Sequence, residues 1–158
     1  MMQNIEQIRN LSMNSPKEIF EFFEGRWSVE RKIYHYEEGS DLAIHAEFMD
    51  CSGQTIFARH NSHILIYSEE LDLQNSNWHQ EYQYKYSSEE NSLVKYFSNG
   101  DYFYELEPQK TGAKGTHKCI DDYYNSEYSF LNENEMQITY KIKGPQKNHE
   151  IITSYKRI

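Results

Sequence analysis

The chain has 158 residues, a net charge of -9 and an aromatic fraction of 15% that includes 14 Tyr, against an apolar fraction of 37%. A chain of this length suits one domain and can bury roughly 70% of its unfolded surface. The acidic excess disfavours binding to nucleic acid or to an anionic membrane, because both would be repelled.

The start, Met1-Met2-Gln3-Asn4-Ile5-Glu6, has neither a basic segment nor an apolar core of the kind a secretory signal needs. No apolar run approaches the ~20 residues that span a bilayer. Two cysteines, Cys51 and Cys119, make no disulfide framework. These features lead us to expect a cytoplasmic protein.

Residues 5–12 are a candidate short helix. A firmer one follows, because Ser15-Pro16-Lys17-Glu18 is a capping box with proline at the first helical position. Ile19, Phe20, Phe22 and Phe23 supply its apolar face, and Gly25 stops it. Beyond Gly25 the hydrophobic period changes from helical to alternating. Strands are expected around 26–36, 55–60, 63–73, 91–98, 101–107, 113–120 and 126–131. Leu42, Ile44, Ala46 and Phe48 alternate with polar or small residues. Tyr82, Tyr84 and Tyr86 alternate with Glu81, Gln83 and Lys85. Met136, Ile138, Tyr140 and Ile142 follow the same rule, and His149, Ile151, Thr153, Tyr155 and Arg157 share one face of the last strand.

Turns are expected at Glu38-Gly39-Ser40, Cys51-Ser52-Gly53, Ser98-Asn99-Gly100-Asp101, Lys110-Thr111-Gly112 and Asn132-Glu133-Asn134. Asn99-Gly100 is the strongest of them, since both positions tolerate positive φ. This meander favours an all-β, mainly antiparallel, up-and-down barrel of about 8–10 strands. A single domain, 1–158, would divide into an N-terminal helical segment (1–24) and a barrel (25–158). Half of each strand would face a lumen able to hold one small ligand.

Within that frame, Trp27, Val29 and Ile33 form the inward set of the first strand, so Arg31 points inward too. A buried arginine needs a carboxylate, carbonyls or an anionic ligand; Glu69 and Asp122 are the candidate carboxylates. Glu69 shares a face with Leu65, Tyr67, Leu71 and Leu73, which makes it a second inward charge.

The segment His117-Lys118-Cys119-Ile120-Asp121-Asp122-Tyr123-Tyr124 concentrates four chemically capable side chains. His117 and Cys119 share a face, and Asp122 and Tyr124 join them only if a bulge or turn intervenes near Ile120-Asp121. No standard zinc spacing is present, so neither a metal nor a cofactor is expected. Cys119 with His117 as nucleophile and base would need close contact between same-face neighbours. His117 oriented by Asp122, with Tyr124 as proton donor, would be ordinary acid–base catalysis. A hydrogen-bonded cluster tying two strands together is the structural alternative. Gly144-Pro145 marks the last corner, and Lys147 could aim an ammonium at the barrel mouth. His35, His45, His60, His63 and His79 are expected on the surface.

Gly25-Arg26-Trp27 at the first strand and Arg157 at the last resemble the calycin and lipocalin arrangement, in which a late arginine stacks on the tryptophan. More widely, the ordered set resembles domain-of-unknown-function family 6314 from Gly25 to Arg157. The matching residues are Gly25-x-Trp27-x-x-x-Arg31, Tyr67-x-Glu69, Tyr82 and Tyr84, then Phe97-x-x-Gly100-x-x-Phe103, His117-x-Cys119-x-x-Asp122-x-Tyr124, Gly144-Pro145-x-Lys147 and Tyr155. Asp101 stands where that family often carries a basic residue, and Tyr104 where histidine is common.

The resemblance implies a calycin-like barrel and brings no established activity. Gly25, Trp27, Gly144, Pro145 and Arg157 take structural roles in this account. Arg31, Tyr67, Glu69, Tyr82, Tyr84, Phe103, Cys119, Lys147 and Tyr155 form the candidate ligand-contacting set. Binding of a small, partly aromatic or anionic molecule is the leading expectation. A cofactor-free isomerase, cyclase or hydrolase using His117, Asp122 and Tyr124 is the second, and a protein-interaction module the third.

Overall fold

The structure is a computed structural model that describes residues 12–36, 47–73, 76–145 and 148–158. Helix α1 spans Pro16–Phe23. Eleven strands follow: β1 (Gly25–His35), β2 (Glu47–Asn61), β3 (Ile64–Leu73), β4 (Ser76–Ser87), β5 (Ser92–Phe97), β6 (Tyr102–Glu105), β7 (Glu107–Pro108), β8 (Gly112–Cys119), β9 (Asp122–Asn132), β10 (Glu135–Lys143) and β11 (Asn148–Arg157). They form one antiparallel sheet in the order β6-β5-β4-β3-β2-β1-β11-β10-β9-β8-β7. The meander therefore returns on itself, the last strand pairing with the first from Trp27↔Arg157 to His35↔His149.

The two sheet edges, β6 and β7, are consecutive in the chain and separated by Leu106 alone. That is how a nearly closed barrel acquires eleven strands: one edge strand divides as it passes from β5 to β8. Gly115 on β8 lets the seam draw together, since a Cβ there would fall 2.1 Å from the Tyr104 ring. The described part of β2 runs unbroken through Cys51-Ser52-Gly53, where a turn is expected from the sequence. Gly53 serves close packing instead: a Cβ would sit 1.9 Å from the Glu70 carbonyl oxygen of β3. The other described turns fall where the sequence puts them. All of the candidate helix at 5–12 except Ser12, and the alternation from Leu42 to Ala46, lie outside the described residues.

Helix α1 plugs one end of the barrel. Ser15 caps it, its hydroxyl accepting from the Glu18 amide at 3.2 Å. Phe23 is fully buried, 5.0 Å from Phe57 and 5.2 Å from Tyr84 between ring centroids. The carbonyls left unpaired at the helix end find donors in the barrel. Trp27 Nε1 donates to Phe23 at 3.0 Å, and Arg157 donates to Phe22 at 2.8 Å and Glu24 at 2.9 Å. The Arg157 guanidinium also lies 4.1 Å over the Trp27 ring, a cation–π contact. Gly25 has φ +135, and a Cβ there would meet the Arg157 Nη1 at 2.9 Å, so both backbone and space call for glycine.

Because Phe23 joins the helix to several barrel strands, Phe23→Ala should lower the unfolding free energy by about 3–5 kcal/mol. Urea denaturation checks this. A loss near that of an exposed helix substitution such as Glu21→Ala, within about 0.5 kcal/mol, would show that the plug is dispensable.

Candidate functional site

With α1 filling one end, the opposite half of the barrel encloses a cavity of about 470 Å³. Its upper wall is apolar, with Ile33, Leu71, Leu73, Ile142, Ile151 and the half-exposed Trp78. Its floor carries charge: Arg31, Glu69 and Lys95 all line it, among tyrosines. An apolar collar over a few convergent polar groups is the usual build of a small-molecule site.

Arg31 projects from β1 by strand parity and meets Glu69 from β3 in a fork. Nη1 donates to Glu69 Oε2 at 2.9 Å and Nη2 to Oε1 at 2.6 Å, while Nε donates to the Thr153 hydroxyl at 2.8 Å. Glu69 is 1% exposed. Burial opposes its charge, but the Arg31 hydrogen bonds, with help from Tyr67 and Lys95, hold its carboxyl below the usual range. Burial likewise opposes the Arg31 charge, and Glu69 more than compensates. The Tyr67 hydroxyl donates to Glu69 Oε1 and pairs with the Tyr155 hydroxyl at 2.8 Å. Of the two carboxylates offered by the sequence, Glu69 is the partner of Arg31; the Asp122 carboxylate instead lies against Gly144, where a Cβ would meet its Oδ1 at 1.9 Å.

Lys95 is the site residue that sequence reasoning missed. It is 4% exposed on β5, and its Nζ donates to the Tyr140 hydroxyl at 2.7 Å. Aromatic faces surround it, with Tyr82 at 4.0 Å from Nζ and Tyr140 at 5.3 Å. Among the described residues no carboxylate makes a salt bridge to it, because Glu69 is engaged by Arg31. Burial pulls its ammonium down from the ordinary 10.5 to about 7; Glu69 pulls it upward and Arg31 adds to the downward shift. From Tyr140 a hydroxyl chain continues to Tyr104 at 2.6 Å, then to Tyr128, and from Tyr128 to Tyr84 at 2.9 Å. Burial raises these phenols, Tyr104 to about 12, so they remain protonated and able to donate. The signal for Lys95 was its parity with Leu93 and Phe97. It was masked because Val94 and Tyr96, on the opposite face, are equally apolar.

The four residues of the 117–124 segment do come to one face, through a turn. Strands β8 and β9 form a hairpin with Cys119 opposite Asp122 and His117 opposite Tyr124. Ile120, at φ 55, takes the left-handed corner between them. The cavity, however, receives only Tyr124 from this group. His117 is half-buried with its ring centroid 5.2 Å from Phe103 and 6.0 Å from Tyr124, Cys119 is exposed, and Asp122 sits beside the Gly144 corner. The four thus share a face as a turn near Ile120-Asp121 would require, but only Tyr124 among them lines the cavity with Arg31.

The remaining candidates divide clearly. Tyr67, Tyr82, Phe103 and Tyr155 line the cavity. Tyr84 is buried beneath it against Phe57 and Phe23. Pro145 is exposed, and Lys147 lies outside the described residues. Of the histidines expected on the surface, His60, His63 and His79 are exposed, whereas His35 lines the cavity mouth with its ring 4.2 Å from that of His149. His45 is outside the described residues. Among the described residues no three His, Cys, Asp or Glu gather as a metal site, and no helix is long and apolar enough to cross a membrane.

Residues 23–157 match the model of a family described as "Family of unknown function (DUF6314)". No curated protein matches the chain. Among solved structures the chain is similar to the S-type phycobiliprotein lyase CPES from Guillardia theta, with a TM-score of 0.67 at 14% identity, covering 100% of this chain and 98% of that one. It is also similar to EF1p2_mFAP2b bound to DFHBI, with a TM-score of 0.48 at 9% identity over 91% of this chain and 100% of that one. At such identity the likeness to the lyase shows a shared barrel fold.

The Arg31–Glu69 fork carries a specific expectation. Arg31→Met leaves a buried carboxylate without its cation and should cost about 3–5 kcal/mol of stability, whereas the double variant Arg31→Met with Glu69→Met should lose less than Arg31→Met alone. Denaturant titration of both variants checks this. Losses that simply add would mean the two side chains act independently.

Proposed function

This chain belongs to the DUF6314 family, and we propose that its barrel binds a small, partly aromatic molecule whose oxygen-bearing polar group, foremost an anion, rests on the floor at Lys95. The observation that supports this most is the position of Lys95. Arg31 and Glu69 neutralise each other, so among the described residues a protonated Lys95 has no carboxylate left to pair with on the floor. An anionic group would supply the missing partner in a place where water screens poorly. Arg31 keeps the fork in place and lends its field, while the apolar collar and the rings of Tyr82, Tyr124 and Phe103 receive the apolar body.

The volume suits this occupant, since about 470 Å³ falls within the range of small-molecule pockets. The protein would work in the cytosol, a compartment consistent with two free thiols, one of them, Cys51, lining the cavity with its thiol pushed up chiefly by burial. The acid–base alternative built on His117 and Asp122 draws no support from this geometry, because neither residue lines the cavity.

The pH dependence follows from Lys95. An anion binds the protonated amine, and in the free protein that amine deprotonates above about 7. Binding at higher pH must therefore take up a proton, and affinity falls by up to about tenfold per pH unit. Below that point Lys95 is already charged and contributes no further change. Anilinonaphthalene sulfonate, an aromatic anion, is a suitable probe. Its affinity, read by fluorescence, should hold steady below neutrality and fall between neutrality and mildly alkaline pH. Lys95→Met should lower affinity by about ten- to a hundredfold and flatten the dependence. Equal affinity in both proteins at all pH values would overturn the proposal.

A further inference from the structure

A buried lysine with no carboxylate partner is an expensive residue for a barrel core. An aliphatic side chain at position 95 would fill the same space between Leu93 and Phe97. Yet Lys95 lines the cavity, the only lysine among the described residues to do so, with its Nζ bonded to the Tyr140 hydroxyl, another lining residue. We propose that Lys95 captures carbonyl-bearing ligands covalently, its Nζ forming a reversible imine with an aldehyde or ketone carbon lodged on the cavity floor. This rests on the cavity being the binding site argued above, and it narrows the polar group of the ligand to a carbonyl.

The surroundings favour each part of that chemistry. A nucleophilic amine must present a lone pair, and an ammonium fixed in a salt bridge could not. Arg31 occupies both Glu69 oxygens, and among the described residues no other carboxylate fixes Lys95. Burial supports the neutral form further, lowering the ammonium to about 7. The Nζ lone pair adds to the carbonyl carbon, and the C=O π electrons move onto oxygen. A proton passes from nitrogen to that oxygen to give a carbinolamine. The Tyr140 hydroxyl, 2.7 Å from Nζ, is placed to relay it, and the chain through Tyr104 and Tyr128 lets the hydroxyls reorient together. A proton drawn from solvent onto the carbinolamine hydroxyl lets it leave as water while the nitrogen lone pair forms C=N, giving a protonated imine that returns the proton to solvent when it becomes neutral. One aldehyde and one amine become one imine and one water, with no oxidant or reductant.

A protonated imine keeps a positive charge at the same place. There the Tyr82 face at 4.0 Å and the negative field of nearby Glu69 stabilise it. The apolar collar above limits water access and so slows hydrolysis.

The test uses the full chain with cinnamaldehyde near neutral pH, cyanoborohydride reduction, and peptide mass mapping of every lysine. One adduct per chain is expected, at Lys95, exceeding that at any other lysine by at least about tenfold, since ordinary lysines stay protonated there. Lys95→Arg keeps a cation but has no imine-forming amine, so its adduct should vanish. Should that variant fail to fold, the wild-type map alone decides. Label spread over other lysines with Lys95 unmodified overturns the inference. Displacement of anilinonaphthalene sulfonate by the unreduced aldehyde separates the two levels. Displacement without a Lys95 adduct sinks the imine and leaves the binding site standing. Neither displacement nor adduct sinks the imine, and the binding site then stands or falls on the pH and Lys95→Met dependence of the sulfonate.

Discussion

The buried fork between Arg31 and Glu69 is the interaction on which the rest of this barrel depends. Removing two charges from water is costly, and their attraction compensates only if the remaining donors and acceptors are satisfied. Thr153 takes the third Arg31 nitrogen, and the Tyr67 hydroxyl takes a Glu69 oxygen. Tyr67 then holds Tyr155, which stands edge-on to Trp27 at 6.4 Å. A charge pair at mid-height thus ties β1, β3 and β11 together and divides the interior. Toward α1 the barrel is filled with rings; away from it the barrel stays open as a cavity.

Tyrosine makes this division workable. A phenol offers a large apolar ring and one hydroxyl, so the same residue packs against Phe23 and completes a polar chain. Tyr84 does both: its ring sits 5.2 Å from Phe23 and its hydroxyl 2.9 Å from that of Tyr128. An aliphatic core could pack as tightly but could not bring hydroxyls to Lys95. The fork also conditions Lys95 electrostatically. With Glu69 engaged by Arg31, the amine feels both a carboxylate and a guanidinium, and burial decides the balance.

The sequence made the skeleton legible where local chemistry and tertiary structure agree. Ser15-Pro16 started the helix, alternation marked the strands, and Gly25-x-Trp27 with Arg157 located the closed end. Arg31 and Glu69 were readable because each stands among apolar residues of one parity. Lys95 was hidden because both faces of β5 are apolar, so parity gave no direction. Gly53 misled because glycine is a turn signal in sequence, yet here it admits the β3 backbone. The 117–124 segment misled differently. Chain proximity concentrated capable side chains, and the hairpin put them on one face, but only Tyr124 among them lines the cavity. Depth along a barrel axis is set by register between strands, which local pattern does not encode.

The Lys95 amine is the central group of the site, held in the interior with no carboxylate of its own among the described residues. Its ionisation is directly observable by NMR, from the side-chain carbon shift beside Nζ in protein labelled at lysine, assigned by comparison with Lys95→Arg. Lys95 is expected to titrate near 7 in the free protein, apart from the ordinary lysines, and to move upward when an aromatic anion binds. A Lys95 that titrates with the ordinary lysines, near 10.5, and ignores added ligand would contradict that expectation.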